Sequence, residues 1–137
     1  MITKLVIMQA VCDVTQVNQA DILNRSDQEG AKDQEVCYAR QLCMSLARKY
    51  TKESQAAIGR YYGKRDHATC LHAERTIQNE LDIYPHKKLV YTEVQMRILE
   101  YASKSVRRLV KQRIDQLLKE YEVRARQISD ELLISLK

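Results

Sequence analysis

Apolar residues recur at three- and four-residue steps along most of this chain, with polar residues between them. The spacing places the apolar side chains on one helical face, which favours an all-α protein. Three glycines and one proline in 137 residues leave little to interrupt helices. The apolar stripes predict six helical stretches, at 2–14, 17–24, 35–50, 51–62, 67–81 and 89–137.

A short helix, a tight turn and a longer helix follow one another near the middle of the chain. Thr51 or Ser54 can cap the start of the short helix, and Gly63 ends it. Asp66 precedes the longer helix and offers a carboxylate to its free amides. The pattern predicts a helix-turn-helix. Its spacing alone fits many helical hairpins, and basic residues near the turn strengthen the prediction.

After Pro85 no residue breaks a helix. The apolar positions there drift from a strict seven-residue repeat, so we predict an amphipathic helix rather than a coiled coil. A second helix can begin near Glu122. We expect so wide an apolar stripe to pack against another protein surface, in the same chain or in a second copy. We therefore divide the chain into a domain at 1–83 and a helical extension at 84–137.

The net charge of +5 lies in two blocks. Residues 1–86 balance 11 basic against 11 acidic residues, yet 39–65 within them holds seven cations and one acid. The second block lies in 87–137, mostly before Arg113. Two such blocks favour a polyanionic partner, although a solvated helical face looks similar in sequence.

The four cysteines form no C-x-x-C pair, and the apolar start "LVIMQAV" is too short for a signal peptide or a membrane span. We therefore predict a cytoplasmic protein, without membrane contact, whose thiols are reduced and mostly buried. The cysteines are Cys12, Cys37, Cys43 and Cys70.

The stretch "YYGKRDHATCLHAERT", residues 61–76, crowds groups that elsewhere bind metals or catalyse. His67, Cys70 and Glu74 share a helix face, but zinc sites prefer paired cysteines and four ligands, and Cys70 fits the buried stripe. His72 has no nucleophile with an orienting carboxylate nearby, which favours a packed or capping histidine. We predict no metal, no cofactor and no enzymatic activity.

The segment "ARQLCMSLARKYTKESQAAIGRYYGKRDHATCLHAERTI" resembles the C-terminal DNA-binding domain of DnaA, the bacterial chromosomal replication initiator. The G-x-R-D-H-x-T core, from Gly63 to Thr69, is the most specific part of the resemblance. The similarity extends over about residues 5–83. It implies a helix-turn-helix domain that binds a short duplex element, the DnaA box.

The resemblance also implies roles for individual residues. Asp66, His67 and Ala68 are the expected base contacts in the major groove. The expected DNA backbone contacts are Arg40, Arg48, Ser54, Lys64, Arg65 and Thr69. The physical reading agrees, because the start of a recognition helix presents side chains to base edges, while its amides and nearby guanidinium groups suit phosphates.

Three positions depart from the family pattern. Ala68 replaces a threonine or serine, which removes a hydroxyl contact but keeps a methyl group for a thymine methyl. Lys64 replaces the second glycine of the signature and adds a charge at the groove edge. The family's short basic loop, which reads the minor groove, is here longer and acidic, with Arg25 and Lys32 as its cations.

No G-x-x-x-x-G-K-[ST] loop is present, so we predict no nucleotide binding and no counterpart of the family's ATPase domain. We expect a stand-alone, sequence-specific, double-stranded DNA-binding regulator of replication initiation or transcription, associated with the nucleoid. The alternative is a protein-interaction module that keeps the fold with weak or no DNA binding. The C-terminal helix can cap the domain, form a homodimer or extend the DNA contact.

Overall fold

The computed structural model describes residues 2–24 and 34–135. This part of the chain contains helices and no strands, which confirms the all-α prediction. The predicted polar loop falls mostly on 25–33, outside the described residues. The helices are α1 (Lys4–Thr15), α2 (Gln19–Ile22), α3 (Gln34–Tyr50), α4 (Gln55–Tyr61), α5 (His67–Ile83) and α6 (Pro85–Ser135).

Local chemistry explains where the central helices begin and end. Ser54 caps α4, since its hydroxyl accepts a hydrogen bond from the Ala57 amide at 3.1 Å. Gly63 follows the end of α4 with a left-handed φ of 92°. Tyr84, with φ −113° and ψ 105°, separates α5 from α6 because Pro85 disfavours helical geometry in the residue before it.

The chain divides into two compact units, Met1–Ala102 and Ser103–Lys137. The first holds α1 to α5 and the start of α6, and the second holds the rest of α6. The predicted domain boundary between 83 and 84 stays a prediction.

The core of the first unit is built around α3, which packs against α1 on one side and α5 on the other. α4 packs against α5, as a helix-turn-helix requires. The largest fully buried side chains include Tyr62, Ile7, Leu42, Ile58 and Ile98. The Tyr62 hydroxyl donates to the carbonyl of Lys4 at 2.7 Å, so burial leaves it satisfied.

Two sequence expectations about the N-terminal helices need correction. The pattern of "VNQADILN" predicts that Ile22 and Leu23 both face inward. Ile22 is buried, but Leu23 is 39% exposed because it lies at the C-terminal end of a helix of only four residues. The spacing in the first helix predicts an apolar stripe of Leu5, Met8, Val11 and Cys12. Met8 and Val11 are buried, but Leu5 is exposed, and Ile7 and Ala10 are buried in addition.

In the second unit α6 continues to Ser135 as one helix. The second helix that the sequence allowed near Glu122 does not form, because no glycine or proline interrupts the chain there. The described side chains of this unit are exposed, including its apolar ones. Among the described helices, none combines the length and hydrophobicity needed to span a membrane.

Candidate nucleic-acid interface

The turn between α4 and α5 is set by an unusually close backbone approach. The Arg65 amide donates to the Gly59 carbonyl at 2.7 Å. A Cβ atom on Gly59 would lie 2.6 Å from the Arg65 carbonyl oxygen and 2.7 Å from that of Asp66. Only glycine fits there, and this contact fixes where α5 begins relative to α4.

Two successive left-handed residues complete the turn. Gly63 has φ 92° and Lys64 has φ 54°. The left-handed geometry explains why the family signature places glycines here, since a side chain makes this conformation unfavourable. Lys64 therefore adopts a strained backbone while its side chain is exposed at the turn.

Arg40 lies directly beneath the turn. Its Nε donates to the Ile22 carbonyl and its Nη2 to the Asp21 carbonyl, both at 2.9 Å. A Cβ atom on Gly63 would lie 3.3 Å from the Arg40 Nε. Burial, and then the positive charge of Arg65, lowers the pKa of the guanidinium. Only 5% of Arg40 is exposed, and the role that its hydrogen bonds indicate is structural: it joins α2 to the turn.

Asp66 caps α5 as the sequence predicts. Its Oδ1 accepts hydrogen bonds from both the amide and the hydroxyl of Thr69, each at 2.8 Å. The amide bond, followed by the hydroxyl bond, lowers the pKa of this fully exposed carboxyl below its usual value. The cap thus presents an ionised carboxylate at the start of α5.

The predicted base contacts come together at this end of the helix. Asp66, His67 and Ala68 are all exposed, and so is Thr69. Cys70, the next residue, is buried and anchors the opposite face of α5 in the core. The first turn of α5 is therefore held from behind while its front remains accessible.

Arg48 is placed by a clamp that links three helices. Its Nε donates to Glu74 Oε1 at 2.9 Å, and its Nη1 donates to the Glu53 carbonyl at 3.0 Å. The other oxygen of Glu74 accepts from Gln55 Nε2 at 3.2 Å. Arg48 is exposed at the end of α3, and this clamp fixes its direction.

Sequence reasoning missed Gln55 and Glu74 as positioning residues. Opposite charges on Arg48 and Glu74 were visible, but helical periodicity does not say which helices meet. The metal alternative gave Glu74 another role. In the residues that the structure describes, no three side chains of histidine, cysteine, aspartate or glutamate are grouped to hold a metal ion.

Comparison with known proteins decides the family. The model of the bacterial DnaA protein helix-turn-helix matches residues 5–77, more than half of the chain. The chain belongs to this family. The resemblance inferred from the G-x-R-D-H-x-T core is thereby confirmed.

Similar proteins are chromosomal replication initiators named DnaA. The one from Bacteroides thetaiotaomicron is 36% identical over 77 residues, which is 56% of this chain and 15% of that protein. The one from Gloeobacter violaceus is 43% identical over 72 residues, 53% of this chain and 15% of that protein. The one from Chlorobaculum tepidum is 30% identical over 92 residues, 67% and 18%.

The chain thus spans only 15–18% of the length of these relatives. The matched part of DnaA is a DNA-binding domain and not a catalytic one. Residues 5–77 of this chain therefore form a DNA-binding helix-turn-helix of the DnaA type, in which α4 and α5 are the two helices of the motif.

Proposed function

We propose that this protein binds double-stranded DNA in a sequence-specific manner and regulates replication initiation or transcription. It acts in the cytoplasm, on the DNA of the nucleoid. One observation carries the proposal: all four residues from Asp66 to Thr69, which bear the family signature at the start of α5, are exposed, while Cys70 and Ala73 behind them are buried in the core. A recognition helix enters the major groove with this end foremost.

His67 is the proposed principal reader of base edges. It is the first residue of α5 and its imidazole is exposed beside the exposed methyl group of Ala68. An imidazole can donate to or accept from a base, and an alanine methyl can contact a thymine methyl. Asp66 combines the cap with a base contact, since a carboxylate can accept from a cytosine amine.

The proposed phosphate contacts surround this end. Lys64 extends from the strained turn, and Arg65 follows it. Arg48 is directed by the clamp, while the hydroxyl of Ser54 caps α4. These groups fix the position of the helix on the duplex without reading sequence.

Arg40 and Thr69 complete the proposed set under a geometric condition. Two nitrogens of Arg40 are bonded to α2 carbonyls, and the Thr69 hydroxyl is bonded to Asp66. A phosphate contact by Thr69 requires the exchange of its hydrogen bond to Asp66, and one by Arg40 requires that its buried guanidinium become accessible, since the residue is only 5% exposed. We expect both to contribute less to affinity than Lys64 or Arg48.

A matched pair of histidine variants tests the base-reading role. His67 and His72 are both exposed on α5, but only His67 lies in its first turn. After a preferred duplex is selected from a random pool, His67→Ala should reduce discrimination between it and a scrambled duplex by about 1–3 kcal/mol. His72→Ala should leave discrimination unchanged. Equal losses on both duplexes with His67→Ala would contradict the assignment.

The phosphate contacts predict a salt dependence. Roughly five to seven neutralised phosphates give a slope of about −4 to −6 for log affinity against log salt. Fluorescence anisotropy of a labelled duplex between 50 and 200 mM salt measures it. No binding of random duplex at micromolar protein and low salt would instead favour the protein-interaction alternative.

A further inference from the structure

The second unit carries an exposed apolar stripe with an 11-residue period. From Val106 to Leu132 the stripe advances in steps of four, four and three residues, which then repeat. Its members are Val106, Val110, Ile114, Leu117, Tyr121, Ala125, Ile128 and Leu132. An 11-residue repeat averages about 3.67 residues per turn, so the stripe stays on one face of a nearly straight helix.

This period explains the drift from a seven-residue repeat noted in the sequence. Sequences with 11-residue repeats pair as coiled coils with a slight right-handed twist. The large members of the stripe are between 46% exposed, at Val106, and 73% exposed, at Tyr121. Over the described residues α6 does not turn back to cover them.

The stripe is nearly symmetric about Lys119. Val106 and Leu132 lie 13 residues to either side, and Val110 and Ile128 lie nine to either side. Leu117 and Tyr121 are each two residues away, while Ile114 and Ala125 are five and six away. Two such helices that run in opposite directions, centred on Lys119, therefore bring stripe residues to the same level along their whole length.

Charge selects the direction of pairing. Residues 103–113 hold five cations and no acidic residue. In an antiparallel pair centred on Lys119, this segment lies level with residues 125–135 of the other helix, which hold two acidic residues and one cation. A parallel pair would place the five cations against the same five of the other helix, whereas the antiparallel pair places them against a slightly acidic segment.

We propose that residues 103–135 of two copies of this chain pair in antiparallel orientation through this stripe. Eight positions, most of them large and about half exposed, offer an apolar area of the order of the ~800 Å² per partner in standard stable interfaces. The proposal gives the predicted homodimer an orientation, a seam and a centre at Lys119.

The antiparallel orientation also separates the two ends of the pair. Thirty-three helical residues span about 50 Å, so the two Ser103 residues, from which the two first units continue, lie about 50 Å apart.

Sedimentation of the full chain tests the seam. The unaltered protein should sediment at micromolar concentration as twice the 16.0 kDa of one chain. Leu117→Glu should raise the dimer dissociation constant by roughly 100-fold or more, because it buries a charge between apolar residues. Gln112→Glu, which adds the same charge on the opposite face, should leave it within about threefold. A monomeric parent protein, or equal effects of both variants, would overturn the proposal.

Crosslinking tests the orientation. In the antiparallel pair Ser103 of one chain lies level with Ser135 of the other, whereas in a parallel pair Ser103 lies level with Ser103. Under mild oxidation, Ser103→Cys chains mixed with Ser135→Cys chains should therefore form crosslinked heterodimers beyond what the parent protein forms. Crosslinking of Ser103→Cys chains to one another instead would overturn the antiparallel arrangement.

Duplex affinity of the monomeric Leu117→Glu chain, measured per protomer, separates this proposal from the proposed function. Retained affinity for a single site shows that the DNA-binding role holds without the dimer. A dimer that binds no duplex would refute the proposed function and leave the pairing of α6 intact.

Discussion

Ile98 and Ile128 lie in the same helix but differ in how far their side chains are buried. Ile98, in the first unit, is completely buried, whereas Ile128, in the second, is 50% exposed. Both belong to amphipathic stripes with steps of three and four residues. Up to Ala102 the apolar stripe of α6 is buried against other residues of the chain, and after Ala102 it is exposed. An amphipathic pattern therefore predicts that a helix face packs against another surface, but it does not identify that surface.

The charges of the two units differ in the same way. In the first unit, Arg40 and Arg48 donate to carbonyls and a carboxylate and so organise the helix-turn-helix. In the second unit, five cations of residues 103–113 stand in a segment without acidic residues. The arginines near the motif hold neighbouring helices in place. In the second unit the basic residues lie mostly at one end of the helix and the acidic residues toward the other end, which can direct how two such helices pair.

The largest predicted effect comes from removing the buried Ile98 side chain, and the same change at the exposed Ile128 is its control. Ile98→Ala should destabilise the protein by about 2–5 kcal/mol, because it opens a cavity in the core. Ile128→Ala should change the free energy of unfolding by less than about 0.5 kcal/mol when the protein is dilute and monomeric.

Urea denaturation followed by circular dichroism measures both variants. A similar loss for the two at low concentration would mean that the second unit is buried within the monomer. A loss for Ile128→Ala that appears only at high concentration would instead agree with the paired α6 helices.

A second prediction concerns the sign of the change in unfolding free energy when Gly59 is replaced by alanine. Glycine to alanine inside a helix ordinarily stabilises by about 0.5–1 kcal/mol. Here the added Cβ would lie 2.6 Å from the Arg65 carbonyl oxygen, which belongs to the turn backbone. We expect Gly59→Ala to destabilise by about 1–3 kcal/mol, as overpacking does.

Thermal and urea unfolding of Gly59→Ala test this expectation. Because the clash lies at the turn, duplex binding should weaken even where the variant remains folded. Stabilisation by the substitution would show that the approach of α4 to the turn is looser than 2.6 Å implies.

Lys64→Gly should produce a smaller change of the opposite sign. Lys64 has φ 54°, and glycine adopts this conformation without the penalty that a side chain incurs. We expect a gain of about 0.5–1 kcal/mol in unfolding free energy, with weaker and less salt-dependent duplex binding. Lys52→Gly is the matched control, since it removes an exposed lysine outside the helices and should not stabilise.

Much of the first unit was predictable from sequence because its signals are local. Ser54, Gly63 and Asp66 mark helix ends by the chemistry of single residues, and the structure confirms these boundaries. Pro85 also marks a break, but α5 continues to Ile83 and α6 begins at Pro85 itself rather than at the predicted Leu89. The family signature was also local, which is why Gly63 to Thr69 identified the motif.

What sequence could not supply depends on contacts between distant residues. The bonds from Arg40 to the end of α2 and from Arg48 to Glu74 join helices whose relative placement no periodicity specifies. Leu23 fits an inward pattern, yet a four-residue helix ends before it is covered. The close approach at Gly59 likewise becomes visible only when α4 and the turn are placed together.

The smallest predicted effect separates the cap from its charge. Asparagine caps helices about as well as aspartate, so Asp66→Asn should keep the bond from the Thr69 amide and lose only ionisation. In the folded protein the pKa of Asp66 is lowered by its bonds from Thr69. Stability from the ionised carboxyl is therefore complete above the unfolded pKa of about 3.9 and is lost as pH falls through the lower folded value.

The difference in urea midpoint between the parent protein and Asp66→Asn should accordingly shrink below about pH 4 and stay constant above about pH 5. Other groups titrate in both proteins, so their contributions cancel. The amide resonance of Thr69 should follow the same titration, since it donates to the Asp66 carboxylate at 2.8 Å. A Thr69 titration midpoint at or above the ordinary aspartate pKa would mean that the cap does not favour the charged form, and the start of α5 would then present a less persistent negative charge to DNA.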